Sequence, residues 1–254
     1  MKKRWKHAIV VGASQGIGEA LVMELARQGV SVALVSRNED AMKRVAAAAS
    51  VIATQGGAAA RFHTYAHDVT NFAEVPELFQ RITKDLGGLD LIVYGAGMMP
   101  YVAMDEYTFE TDKAIVDVNL LGAMAWLNEA AKRFHSLEEG CIVGISSIAG
   151  ERGRVGSPAY NVSKAALSTY LESLRNRLSR RGVSVTTIKP GVVDTAMSKN
   201  SPTKLWLTTA DEVARQTLKA ARRGVVVKYI PSRWRLISFI LHSLPSFIFR
   251  RLTF

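Results

Sequence analysis

Cysteine is almost missing. Cys141 stands alone, which excludes an internal disulfide and fits a reducing compartment. Its place in the run CIVGI reads as a buried strand thiol rather than a redox centre. Long hydrophobic runs are missing too. The apolar stretch 236–249 falls short of the roughly 20 residues that cross a bilayer, and His242 and Pro245 interrupt it. The basic opening, MKKRWKHAIVVGAS, mimics a secretory leader, but its apolar run is brief and flows into glycines. A first strand and a cytoplasmic protein are therefore expected. Acidic residues vanish after Glu212, and nine of the eleven net positive charges lie beyond it. Basicity is thus a property of the C-terminal end. No base-stacking or groove-reading motif accompanies it, so no nucleic-acid partner is expected.

What is present is a chain of 254 residues, 48% apolar and 22% charged, which suits one α/β domain with a large core. Short β-branched runs (HAIVV, SVALVS, ARFHTYAHDV, LDLIVYGAG, CIVGIS, VSVTTI, VVVKYI) alternate with helix-patterned segments. Those helices are expected near residues 17–28, 39–54, 72–86, 111–134, 158–181 and 211–223. Near-continuous apolar strands joined by crossover helices imply a parallel sheet covered on both faces, doubly wound and Rossmann-like. No linker, repeat or second core signal interrupts it. The expected organisation is one domain over residues 1–232 and an apolar, basic tail over 233–254.

The first strand ends in VVGASQGIGEAL. Gly12, Gly16 and Gly18 permit a tight turn, and the helix that follows offers free N–H groups to a pyrophosphate. Gly12, Ser14, Gln15, Gly16, Ile17 and Gly18 are therefore candidate cofactor contacts. The second strand ends in Ser36 and Arg37. A carboxylate there takes a ribose 2′-hydroxyl, whereas an arginine accommodates a 2′-phosphate. NADP is expected in preference to NAD.

Tyr160 precedes Lys164 by one helical turn and follows Ser147 at the end of the fifth strand. With the glycine turn, Asp68-Val69, Ala96-Gly97, Asn119 in DVNLLG and the run PGVVDT from Pro190, this set resembles the short-chain dehydrogenase/reductase family over nearly the whole chain. The resemblance implies an oxidoreductase interconverting a carbonyl and a secondary alcohol. Tyr160 would be the general acid/base, its pKa lowered by the neighbouring Lys164 cation. Lys164 would also hold the nicotinamide ribose. Ser147 would orient the substrate oxygen, and Asn119 would hold a water relaying protons from Lys164. Asp68 and Val69 would meet the adenine, though Asp68 also reads as a cap on the next helix. Pro190, Gly191, Val193 and Thr195 would pass the nicotinamide. No metal is expected. Homo-dimers or tetramers are implied, through the helices holding Asn119 and Tyr160. One departure is that the family shows NNAG where this chain has Tyr94-Gly95-Ala96-Gly97, so a brace of the central sheet is expected to be missing.

The family builds its substrate site from segments that here read MMPYVAM, IAGERGRVGSPA and MSKNSPTKLWL. Their methionines and aromatics suggest an apolar or lipid-like carbonyl or alcohol. Arg152 and Arg154 read as a solvated loop pair, with an anionic head group as the sharper alternative. The tail, with arginines at both ends and no acid, reads either as a membrane-surface segment or as a helix covering the pocket. A catalytically silent dinucleotide sensor is the alternative to an enzyme.

Overall fold

The computed structural model describes residues 5–200 and 205–251. Each apolar run becomes a strand: β1 (His7–Val11), β2 (Ser31–Ser36), β3 (Phe62–Ala66), β4 (Leu91–Tyr94), β5 (Gly140–Ile145) and β6 (Val183–Pro190). Two short strands, β7 (Val193–Asp194) and β8 (Thr208–Thr209), pair with each other, and β9 (Val227–Ile230) returns to the main sheet. The main sheet is parallel with seven strands in the order β3-β2-β1-β4-β5-β6-β9. Strand order reverses between β1 and β4, the place where such sheets open a crevice at their carboxyl ends. This is the doubly wound, single-domain architecture read from the sequence.

The helices are α1 (Gly16–Arg27), α2 (Glu39–Gln55), α3 (Val75–Leu86), α4 (Phe109–Val116), α5 (Gly122–Leu137), α6 (Pro158–Leu178), α7 (Ala210–Arg222), α8 (Trp234–Ser243) and α9 (Ser246–Phe249). Successive strand residues point to opposite faces, and the core divides accordingly. Ala8, Val10, Val32, Leu34, Val93 and Val143 pack against α1, α2 and α7. Ile9, Val11, Val35, Ile92, Tyr94 and Ile142 pack against α3, α5 and α6. Cys141 is buried on β5.

The long helix expected over 111–134 is divided by a π turn, Asp117–Leu121, between α4 and α5. The cause is visible in the hydrogen bonds. The Gly122 N–H donates to the Asp117 carbonyl, five residues back. The Val118 carbonyl accepts instead from the Tyr94 hydroxyl at 2.6 Å. Tyr94 is fully buried, and a Cβ on Gly122 would lie 2.5 Å from its hydroxyl oxygen. The brace expected to be missing is therefore supplied by a different residue. Tyr94 ties the end of β4 to the turn that carries Asn119.

The tail is helical and docked. Trp234 is buried, with its indole filling the space a Cβ on Gly191 would need. Glu151, on the loop after β5, has a side chain only 5% exposed. Its carboxylate meets Lys189 at 2.6 Å, Ser238 at 2.7 Å, His242 at 2.8 Å and the Tyr229 hydroxyl at 3.1 Å. Arg152 donates to the Leu241 and Leu244 carbonyls, each at 2.6 Å, and its guanidinium lies 4.0 Å from the Phe249 ring centroid. Arg152 is thus a helix-end clamp, not a solvated loop residue. Residues 252–254 of the expected tail lie outside the described residues.

Candidate active site

Two adjoining cavities open at the carboxyl ends of the strands. The smaller, about 200 Å³, is lined by the turn from Gly12 to Gly18 together with Ser36, Arg37, Asp68, Val69, Ala96 and Gly97. The close approach there depends on glycine. Gly12 has φ +89° and a Cβ on it would sit 2.5 Å from the Ala96 amide, while a Cβ on Gly18 would collide with the Gly12 carbonyl. Gln15 is the extended residue before α1 and makes no side-chain cap, so the first N–H groups of the helix face the cavity without a side-chain partner from Gln15.

At the far end of this cavity Ser36 donates to Ser14 at 2.9 Å, and Arg37 lies 3.6 Å from Asp68. Asp68 also accepts from the Thr70 amide and hydroxyl at 2.9 and 2.8 Å. Burial pushes its carboxyl up, but the Thr70 hydrogen bonds and the Arg37 and His67 charges outweigh this and hold it below the ordinary value. Asp68 therefore does not cap the next helix, which starts beyond Asn71: it braces the turn after β3 through Thr70, and it stands in the cavity wall. Dinucleotide and cavity are compatible in chemistry, with a glycine cradle, two hydroxyls and a guanidinium 71% exposed.

The larger cavity, about 420 Å³, shares Ile17, Gly95, Gly97 and Thr195 with the first and adds Ser147, Tyr160, Lys164, Pro190, Gly191 and Val193. Ser147 begins the turn after β5, its hydroxyl accepting from the Ala149 amide at 3.0 Å, and it lines the cavity beside the Tyr160 phenol. Burial pushes that phenol up. The nearby Ser147 hydroxyl and the positive charge of Arg154 pull against it without reversing the shift. The expectation that Lys164 lowers this pKa is not what the geometry gives. The Lys164 ammonium donates to the Ile145 carbonyl at 3.0 Å and lies 5.7 Å from the centre of the tyrosine ring. Burial also pulls Lys164 itself down to about 8.

Asn119 is fully buried. It accepts from the Met98 amide at 2.8 Å and donates to the Met98 carbonyl at 3.0 Å and Ser163 at 3.1 Å. Its side-chain donors are thus committed to positioning the loop after β4 against α6. A Cβ on Gly97 would lie 3.3 Å from Asn119 and 3.5 Å from Lys164, so Asn119 stands behind the cavity wall that Gly97 and Lys164 form. Thr195 approaches the glycine turn within 3.1 Å of where a Cβ on Gly16 would stand, closing the ring around the cavity.

All three expected substrate segments reach the larger cavity, through Met99, through Ile148, Ala149 and Arg154, and through Met197, Ser198 and Leu205. Residues 201–204 of the third lie outside the described residues. Trp234, Ile237 and Leu241 of α8 complete the wall. Apolar spacing in the tail was the only sequence signal for them. Arg154 was legible only as half of a loop pair, and Tyr94 only as a departure from a pattern.

A family model described as short chain dehydrogenase matches residues 6–206. An uncharacterized oxidoreductase of Staphylococcus saprophyticus is 36% identical over 193 residues, covering 76% of this chain and 80% of its own length. One from Staphylococcus aureus is 33% identical over the same share of each. Solved structures of similar shape include levodione reductase, with TM-score 0.81 and 21% identity over 91% of this chain and 98% of that one. Another is a short-chain type dehydrogenase/reductase from Mycobacterium ulcerans, with TM-score 0.80 and 24% identity over 91% and 90%. At these identities the two structures speak for the fold alone.

Proposed function

The chain belongs to the short-chain dehydrogenase family, and from that premise we propose an NADP-dependent oxidoreductase that interconverts a carbonyl and a secondary alcohol on a largely apolar, lipid-like substrate. The oxidoreductase class and the use of a nicotinamide dinucleotide come with the family. The observation that carries the rest is the meeting of Ser147, Tyr160 and Lys164 in one cavity continuous with the glycine cradle.

The bound dinucleotide supplies or accepts the hydride. Gly12 to Gly18 would hold its pyrophosphate, Asp68 and Val69 the adenine side, and Ser14, Ser36 and Arg37 the 2′-phosphate that distinguishes NADP. Lys164, beside Gly97, would hold the nicotinamide ribose, with Pro190, Gly191, Val193 and Thr195 along the ring, while Asn119, its donors taken by Met98 and Ser163, fixes the loop after β4. Tyr160 gives its phenolic proton to the substrate oxygen in reduction and takes it back in oxidation. Because burial favours the neutral phenol, the proton is in place before the carbonyl arrives. Ser147, beside that phenol in the cavity wall, orients the same oxygen. The apolar wall from Met99, Leu205, Ile237 and Leu241 excludes water and favours a greasy substrate.

A screen of ketones and alcohols of graded chain length with NADPH and NADH tests this reading, with Tyr160→Phe as control. Turnover in the parent and a loss of at least about 10²-fold in the variant are expected. Tight dinucleotide binding with no turnover of any carbonyl would mark a silent sensor instead.

The outer face of the tail belongs to the same proposal. Leu236, Phe239, Ile240, Phe247 and Ile248 are exposed, beside the exposed Arg235, Arg250 and Arg251. Among the described residues no helix is long and apolar enough to cross a membrane. Exposed apolar side chains set among arginines suit an anionic membrane surface. Co-sedimentation with anionic but not neutral vesicles, abolished by Phe239→Asp with Phe247→Asp, is the expected result. Assembly as a dimer or tetramer is read from the exposed Phe109, Leu121 and Val162 on the helices around the site, and its test is the solution mass.

A further inference from the structure

Among the described residues Arg154 is the one charged residue of the substrate cavity that the reaction does not use. It lines the wall with Tyr160, and no aspartate or glutamate among the described residues joins it there. The nearest carboxylate in sequence, Glu151, is fully engaged by Lys189, Ser238 and His242. Among the described residues Arg154 has no ion pair, and its buried Nε has no hydrogen-bond partner. Its position is nonetheless fixed. The guanidinium donates to Asn161 Oδ1 at 3.3 Å, and Asn161 in turn donates to the Arg154 carbonyl at 3.3 Å and to the Gly156 carbonyl at 3.0 Å. Asn161 follows Tyr160 directly on α6, so the same helical turn sets both the acid/base and the guanidinium.

A half-buried cation with no counter-charge beside it is costlier to keep than a solvated one. A guanidinium with an unpartnered Nε in a largely apolar wall is shaped for a carboxylate or a similar oxyanion. We propose that Arg154 is a specificity-determining residue that binds an anionic group of the substrate, so that the substrate is an oxo acid or hydroxy acid with an apolar remainder. The inference rests on the oxidoreductase reading and sharpens it. The carbonyl lies at Tyr160 and Ser147, the acid group at Arg154, and the hydrocarbon against Met99, Ile237 and Leu241.

The test uses the full chain and linear oxoalkanoates with the ketone at successive positions from the carboxyl group, each against its methyl ester. The parent should prefer at least one acid over its ester by about 10-fold or more in kcat/KM, the worth of a charge-assisted hydrogen bond. Arg154→Gln should bring that ratio to near one through KM for the acid, and Arg154→Lys should keep much of it. The Arg154 charge also bears on the Tyr160 phenol, but that effect is common to acid and ester and cancels in the ratio. If esters turn over and no acid is preferred, or if Arg154→Gln slows acid and ester alike, the inference is overturned while the oxidoreductase reading stands. If no ketone in either form is reduced with either dinucleotide, both fall.

Discussion

Replacing Glu151 with glutamine keeps the shape of the side chain and removes its charge. In the parent the carboxylate is 5% exposed and its partner Lys189 is 14% exposed. Removing one member of a buried pair costs about 3–5 kcal/mol, because the other charge is left behind. Lys189 keeps some contact with water and lies 5.6 Å from the Tyr229 ring centroid, so the lower end, about 3 kcal/mol, applies. For a chain of this size each kcal/mol moves Tm by about 2–4 °C, so a fall of roughly 6–12 °C is expected at neutral pH. Calorimetry gives the magnitude. Tryptic release of the tail at Arg235, followed through the fluorescence of the buried Trp234, shows whether α8 loosens first. Burial pushes the Glu151 carboxyl up, but the bonds from Lys189, Ser238 and His242 hold it below its ordinary value of 4.5. Its contribution is therefore complete above about 4.5 and is lost as pH falls through the lower folded value. The gap between parent and variant should narrow in that acid range. A variant that melts with the parent at neutral pH, or a gap that widens on acidification, would refute the view that charge and not apolar contact pins the tail.

Lys164 gives a prediction of opposite sign. Burial brings its amine from 10.5 to about 8, so its charge costs the fold roughly 3 kcal/mol below pH 8, and the cost fades as pH rises toward 10.5. Lys164→Met should abolish turnover yet melt above the parent at neutral pH, less about 1 kcal/mol for the lost bond to Ile145, and that advantage should close in alkali. A pH-independent difference would show that the lysine is not desolvated. Arg37→Asp should weaken NADP(H) at least about 10-fold and NAD(H) little, read by dinucleotide titration; a parent that binds NAD(H) more tightly would end the NADP reading. Gly122→Ala should cost about 1–3 kcal/mol through overpacking against Tyr94, and Tyr94→Phe should recover part of it. Additive effects in that double-mutant cycle would separate the two residues.

The sheet was legible because each strand is a short β-branched run between helix patterns, and parallel strands buried on both faces leave that mark. The glycine turn and the Ser147, Tyr160 and Lys164 spacing were legible because they are local, within one turn or one loop of the chain. What was not legible depends on contacts between distant residues. Tyr94, on β4, meets Val118 and Gly122 in the helical layer packed on its face of the sheet, and this displaces the helix register at Asn119. Glu151 finds partners from Lys189 on β6 to His242 on α8, and Arg152 finds its carbonyls some ninety residues later at the end of α8. Arg154 reads like its neighbour Arg152, and only the fold sends one to the helix end and the other to the cavity. The Tyr160 environment differs for the same reason, since the Lys164 ammonium turns to a strand carbonyl that no helical spacing reveals.

The wall contributed by Trp234, Ile237 and Leu241 lies beyond residue 206, where the family match stops. One side of the cavity is thus written outside the stretch that holds Ser147, Tyr160 and Lys164, while Met99 and Arg154 lie inside it. Drift or recombination in one terminal helix would reshape that side alone. Homologues sharing every catalytic residue then need share no substrate, and grafting a foreign α8 onto this scaffold is a direct route to a new selectivity.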